Sequence, residues 1–257
     1  MIQSFKEFIL SSPPQRDYLI DQLIGSDSGY GIIAGRTGLG KTNLILNLGY
    51  WLALGEPFFG LSTKRSKVCY LPFEGSDENL KERCEKILFR GPNYDIPEDD
   101  WYQIGRIDSL VLLERNNRSR FREMIRPFDI ILLDPIKWMV GGNYTKPDVA
   151  AQFTRALVEI LHDEGKVAIF SMQIRKRDPR VKVEPGDLFG LKGAADYVED
   201  AAFVLLLERS ELRGRNITAH LKDRYLTLHF AKHREATRDL DSVELFYDYD
   251  HCNFQVM

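Results

Sequence analysis

Residues 35–42 read Gly35-Arg36-Thr37-Gly38-Leu39-Gly40-Lys41-Thr42, an octapeptide suited to holding polyphosphate. It fits the P-loop pattern G-x-x-x-x-G-K-[ST]. Its three glycines let the backbone curl so that N–H groups point inward at phosphate oxygens. A helix starting beside Lys41 adds the partial positive charge of its N-terminus. In this pattern Lys41 reaches the β- and γ-phosphates, and the Thr42 hydroxyl ligates Mg²⁺. Three further side chains offer reaction chemistry. Asp134 ends the apolar run 130–133 and can hold Mg²⁺ through water, the Walker B role, or cap the turn at Pro135. Glu74 follows the run 68–73 and can act as general base on a water attacking the γ-phosphate. It can also start the next helix, because Glu74-Gly75-Ser76-Asp77 reads as a turn and N-cap. Gln173, just beyond the run 167–171, can hydrogen-bond the γ-phosphate and sense its loss.

Apolar patterning shows which elements must carry these groups. Residues 30–34 read as a short buried strand. Residues 42–54 read as a helix, with Leu44, Ile45, Leu48, Trp51 and Leu52 at helical spacing. Residues 67–73 form a strand followed by a polar helix over 78–89. Residues 129–134 form another, followed by a helix around 149–161, and residues 167–171 a third. Near-continuous β-branched and leucine runs alternating with helices predict an α/β fold, a mostly parallel twisted sheet with helices on both faces. Beyond residue 200 the runs 202–207, 217–221, 226–230 and 243–249 follow at short intervals. They predict antiparallel strands extending one edge of the sheet. One domain over residues 25–257 is expected, preceded by an N-terminal arm over residues 1–24. The arm begins with Phe5, Phe8, Ile9 and Leu10 and is broken by Pro13-Pro14. It either packs on its own domain or docks on a neighbouring subunit.

With 257 residues and a formal net charge of −3, any nucleic-acid contact must come from a local basic patch. Arg175, Lys176, Arg177, Arg180 and Lys182 crowd one segment that Pro179, Pro185 and Gly186 mark as a loop. Such a loop suits phosphate contacts without base reading, or it is simply solvated. It contains no aromatic residue for stacking. A second run (Arg115, Arg118, Arg120, Arg122, Arg126) spreads around a helix and reads as an exposed face. Cys69, Cys84 and Cys252 show no CxxC spacing, which argues against a zinc site or disulfide framework and fits reduced thiols in a cytoplasm. No apolar run approaches membrane-spanning length, and the first ten residues are too short and charged for a signal peptide. A cytoplasmic protein without a membrane partner is expected.

The order of these elements resembles the RecA-like ATPases: P-loop strand, strand ending in a glutamate, Walker B strand, strand ending in Gln or His. The chain is most similar to the RepA-like replicative helicases of plasmids and to the ATPase domain of DnaB. Tyr18-Leu19-Ile20-Asp21 and Ala53-Leu54-Gly55-Glu56-Pro57-Phe58-Phe59-Gly60 look like the RepA-type pattern. Phe170-Ser171-Met172-Gln173-Ile174-Arg175 is similar to the DnaB sensor segment. The resemblance covers about residues 17–250. It implies a RecA-like P-loop fold, ATP with Mg²⁺, and hydrolysis with Glu74 as base, Asp134 as Walker B acid and Gln173 as sensor. It also gives meaning to Lys232-His233-Arg234. Ring-forming relatives carry a K-x-R pair at such a point, whose cations reach the neighbour's γ-phosphate. A basic cluster at a strand end is the plainer alternative, and His233 reads as structural. A homohexameric ring is therefore implied, with residues 175–182 lining a channel for single-stranded DNA and residues 188–193 as a second channel loop. DnaB-type helicases carry a separate N-terminal domain that recruits primase. The short segment before residue 25 leaves no room for one, which favours the RepA side. Two functions are expected from this set: a helicase of a plasmid, phage or other mobile element, or a regulatory or scaffold ATPase that uses ATP to control assembly or load a partner. A small-molecule kinase sharing only the P-loop would leave the K-x-R pair unexplained.

Overall fold

The computed structural model describes residues 4–11, 17–27, 29–88, 96–107, 110–174, 186, 188, 195–210, 223–234 and 240–257. In chain order its elements are α1 (Phe5–Leu10), β1 (Tyr18–Ile20), β2 (Ile24–Gly25), β3 (Tyr30–Gly35), α2 (Lys41–Leu54), β4 (Val68–Pro72), α3 (Asp77–Leu88), β5 (Tyr102–Ile104), α4 (Arg115–Ile125), β6 (Ile130–Asp134), α5 (Lys137–Val140), α6 (Pro147–Glu164), β7 (Val167–Gln173), α7 (Ala195–Asp200), β8 (Phe203–Arg209), β9 (Tyr225–His233), β10 (Val243–Asp248) and β11 (Asn253–Val256).

The main sheet has nine strands in the order β11-β10-β9-β8-β3-β7-β6-β4-β5. The strands from β8 to β5 in this order pair in parallel. Their central members alternate between two cores. Ile33, Tyr70, Leu132, Ile169 and Leu205 face the side covered by α2. Ile32, Leu71, Leu133, Phe170 and Leu206 face the side covered by α4 and α6. Because both faces are buried, the strands read in sequence as unbroken apolar runs rather than alternating ones.

The two principal helices differ in kind. α2 is buried from Asn43 to Ala53, enclosed between the sheet and the β10–β11 hairpin. It stops at Gly55, whose left-handed backbone donates to Leu52 O, while Glu56 N donates to Trp51 O. α6 is one-sided: Pro147 opens it, Phe153, Leu157, Ile160 and Leu161 are buried, and left-handed Gly165 ends it. The basic run on α4 is only partly a solvated face. Arg122 lies between Glu159, Asp163 and Glu164 of α6, and Arg126 pairs with Glu164.

The run 202–207 differs from expectation. β8 pairs in parallel with β3, from Gly31↔Phe203 to Gly35↔Leu207. α7 delivers the chain to the end where β3 begins, and Ala202 N donates to Tyr30 O at 2.8 Å. A strand entering from that end can only run parallel. The antiparallel extension starts at β9 and continues through β10 and β11. The run 217–221 lies outside the described residues.

Within the N-terminal segment, Leu19, Ile20, Leu23 and Ile24 are buried in the core on the α2 side. They belong to the β1–β2 hairpin, which Lys64 N anchors by donating to Leu19 O. α1 is a separate feature. Ser4 and Glu7 form a capping box at its start, and Phe5, Phe8, Ile9 and Leu10 are all exposed.

Candidate active site

The P-loop leaves the carboxyl end of β3, where a parallel sheet opens its ligand crevice. A Cβ on Gly35 would lie 2.8 Å from Leu207 O, so the neighbouring strand leaves no space for a side chain there. Gly40 takes φ of 87° as it turns the loop into α2, a left-handed conformation costly for other residues. Lys41 Nζ curls back to donate to Arg36 O at 2.9 Å. Burial lowers the pKa of the Lys41 ammonium, and the carboxylates of Asp134 and Glu74 oppose the shift.

Parallel pairing brings the other candidates to the same crevice. Gln173 ends β7 directly beside Gly35, and its side-chain amide donates to Thr37 Oγ1 in the loop. Asp134 ends β6 and is buried. Ser171 Oγ donates to its Oδ1 and Tyr70 O–H donates to its Oδ2 at 3.1 Å. Burial first, and then the charge of Asp134, raises the Tyr70 pKa well above its usual value, so this hydroxyl stays a donor. Glu74 lies just past β4, and the backbone ties the two strand ends together as Phe73 N donates to Asp134 O at 2.8 Å. The Glu74 carboxylate pairs with Lys137 and accepts from Trp138 Nε1 at 3.0 Å. Burial raises its pKa, but the hydrogen bonds from Lys137 and Trp138, with the charges of Lys137 and Lys41, together hold the group below its ordinary value.

Thr37, Gly38, Gly40, Lys41, Thr42, Glu74, Asp134 and Gln173 thus line one cleft of about 410 Å³, a size typical of a ligand site. Among the described residues no cluster of three or more His, Cys, Asp or Glu side chains forms a metal cage. The donor set suits Mg²⁺, which keeps several waters and binds through one or two protein oxygens plus substrate phosphates. Thr42 and Asp134 could supply such oxygens, and the two hydroxyl donors fix the orientation of the Asp134 carboxylate.

The cleft also contains groups that the sequence did not single out. Arg83, Asn43, Tyr247 and Tyr249 line it as well. Tyr247 and Tyr249 meet edge to face with ring centroids 4.5 Å apart, and Asn43 Nδ2 donates to Tyr247 O–H. Tyr249 is 43% exposed. No local signal marks the tyrosines, because their place in the cleft depends on β10 and β11 folding back against α2 some two hundred residues upstream in sequence.

Lys232 and Arg234 are not in this cleft. Lys232 pairs across the sheet with Val204, near the amino ends of the parallel strands. Lys232 Nζ donates to Glu199 O at 2.7 Å and to Val198 O, and Arg234 donates to Glu199 O as well. Both cations therefore sit on carbonyls at the C-terminus of α7, where a helix favours positive charge. Burial, and then the Arg234 charge, push the Lys232 pKa down to about 8. Arg175, Lys176, Arg177, Arg180 and Lys182 lie outside the described residues, as does nearly all of the second loop at 188–193. No helix among the described residues is long and apolar enough to cross a membrane.

Comparison with known proteins identifies the fold. The AAA domain family matches residues 2–179. No curated protein matches the chain. Among solved structures, the ATPase domain of G40P has a TM-score of 0.62 at 17% identity, over 89% of this chain and 84% of that one. A DnaB-like replicative helicase, described with its interactions with primase, has a TM-score of 0.58 at 17% identity, over 89% of this chain and 57% of that one. A KaiC-like protein, PH0186 of the hyperthermophilic archaeon Pyrococcus horikoshii OT3, has a TM-score of 0.62 at 14% identity, over 95% of this chain and all of that one. The fold is that of the RecA-like P-loop ATPases, and with the family match over residues 2–179 the chain belongs to the AAA domain family.

Proposed function

We propose that this chain is the subunit of a cytoplasmic homohexameric ring that hydrolyses Mg-ATP to move along and unwind DNA, as a RepA-like replicative helicase of a plasmid, phage or other mobile element. The observation that carries this reading is the division of groups between opposite ends of the sheet. Lys41, Glu74, Asp134 and Gln173 share one cleft, while Lys232 and Arg234 lie at the far end of the strands. A site so divided is completed by a second copy of the chain, whose Lys232 and Arg234 reach the transferring phosphoryl group. In the cleft the P-loop amides and Lys41 grip the β- and γ-phosphates. Glu74 takes the proton of the attacking water, and Gln173 reports the γ-phosphate to Thr37. Thr42, and Asp134 through water, would hold Mg²⁺, which supplies charge neutralisation between the phosphates. Arg83 and the edge-to-face Tyr247–Tyr249 pair offer a cation and aromatic surface suited to the nucleobase. The exposed apolar face of α1 docks on the neighbouring subunit, and the cations of residues 175–182 contact single-stranded DNA.

A second reading, a regulatory or scaffold ATPase that uses ATP to control assembly or partner loading, draws on the similarity to the KaiC-like protein over its whole length. ATP turnover measured with and without single-stranded DNA, beside a strand-displacement assay, separates the two. DNA-stimulated turnover with displaced strand supports the helicase. Turnover indifferent to DNA, with no displacement, refutes it in favour of the regulator.

A further inference from the structure

Glu74 is held by two neighbours whose purpose is still unexplained. Trp138 Nε1 donates to Glu74 Oε1 at 3.0 Å, and Lys137 Nζ pairs with the same oxygen. The Lys137 ammonium also lies 5.3 Å from the Trp138 ring centroid, so the three side chains close into one cluster. Core burial does not explain the tryptophan, which is 53% exposed. The mount beneath the cluster is firm. α5 follows Asp134 by two residues, its Met139 and Val140 are buried, and Leu112 N donates to Met139 O at 2.8 Å. A short, well-anchored helix therefore ties the strand bearing Asp134 to the carboxylate just past the neighbouring strand β4.

The geometry points to Lys137 and Trp138 as positioning residues for hydrolysis: by fixing Oε1 of Glu74 they leave Oε2 aimed at the attacking water. The inference rests on Glu74 being the base. In the step it serves, the water oxygen bonds to the γ-phosphorus and the bond from that phosphorus to the β–γ bridging oxygen breaks. ADP leaves with the electron pair, and a water proton passes to Oε2. A carboxylate free to rotate would present an oxygen in the right direction only part of the time, and orientation of this kind carries a large share of catalytic rate.

Conservative variants of the full chain test the cluster. Trp138→Phe keeps the ring and removes the N–H donor, Lys137→Met keeps the stem and removes the charge, and Lys137→Arg restores a cationic donor. ATP hydrolysis is measured alongside binding of a fluorescent ADP analogue. Each donor loss is expected to lower kcat by about 5–10-fold, the scale of one hydrogen bond. The double variant should approach a hundredfold, the lower range for losing the base outright. KM and ADP affinity should stay within about twofold, because a positioning role acts on the chemical step. Lys137→Arg should recover most of the rate, and in a Glu74→Gln background none of these changes should slow turnover further. Parent-like kcat in both single variants, lost ADP binding, or an equal loss in the Glu74→Gln background would each overturn the proposal. If Glu74→Gln alone turns over ATP at the parent rate, the base assignment itself fails and takes the inference with it. If Glu74→Gln is slow while the donor variants are not, only the positioning role is lost.

Discussion

Arg234→Ala should abolish most ATP hydrolysis while leaving the subunit folded, and the deficit should be repairable by a different inactive subunit. Lys232 is level with Val204, and Val204 with Ile32, three residues short of Gly35 and two strands away from it. At about 3.3 Å per residue and 4.8 Å per strand, the Lys232 backbone lies roughly 14 Å from the start of its own P-loop. Arg234 N bonds to Ala202 O, whose own N–H meets Tyr30 O, which places Arg234 roughly 19 Å away on the same measure. Both spans exceed the length of an arginine side chain, so a role for this cation in phosphoryl transfer requires a neighbour's site. A cation supplied in this way is worth about 10³-fold or more in kcat, or roughly 4 kcal/mol. Losing the contact with Glu199 O at the end of α7 should cost the fold only about 0.3–1 kcal/mol. The assay mixes Arg234→Ala with Lys41→Ala, each inactive alone. In randomly assembled rings about a quarter of interfaces then pair an intact P-loop with an intact Arg234, as expected for head-to-tail contacts. Activity well above the sum of the parents is the expected result. A mixture no more active than its parents, or an active Arg234→Ala protein, would refute the argument.

Lys41→Ala should itself abolish turnover, because the β- and γ-phosphates lose their positioned cation; near-parental hydrolysis in a phosphate-release assay would remove the P-loop assignment. Replacing Arg175, Arg177 and Arg180 together with Ala should weaken single-strand binding and flatten its salt slope by roughly 0.7 per lost contact. Basal ATPase should persist while DNA stimulation vanishes, and identical salt slopes in fluorescence anisotropy would exclude this loop from the DNA path. The depressed Lys232 pKa of about 8 means that above that value the folded chain binds fewer protons here than the unfolded chain does. Stability should therefore gain a component as pH rises from about 8 toward the ordinary lysine range, and Lys232→Met should remove that component from the pH dependence of the melting temperature.

The strand, glycine loop and helix of the P-loop could be read from residues 30–54 alone, because a glycine loop between a buried strand and a helix is specified by local backbone demands. The parallel core was equally legible, since strands covered on both faces must be apolar at successive positions, as residues 130–133 are. Tertiary structure decided what no local pattern encodes. The direction of β8 depends on α7 returning the chain to the start of β3, and apolar runs carry no direction. β5 was missed because its three residues are half-buried or exposed, so burial left no pattern in them. The partners of Glu74 and the tyrosines beside α2 arise where elements distant in sequence converge. The separation of Lys232 and Arg234 from the cleft is likewise a matter of sheet register. A sequence records which groups are available for chemistry, but their distance from one another is set by strand order and pairing, which depend on contacts spread over the whole chain.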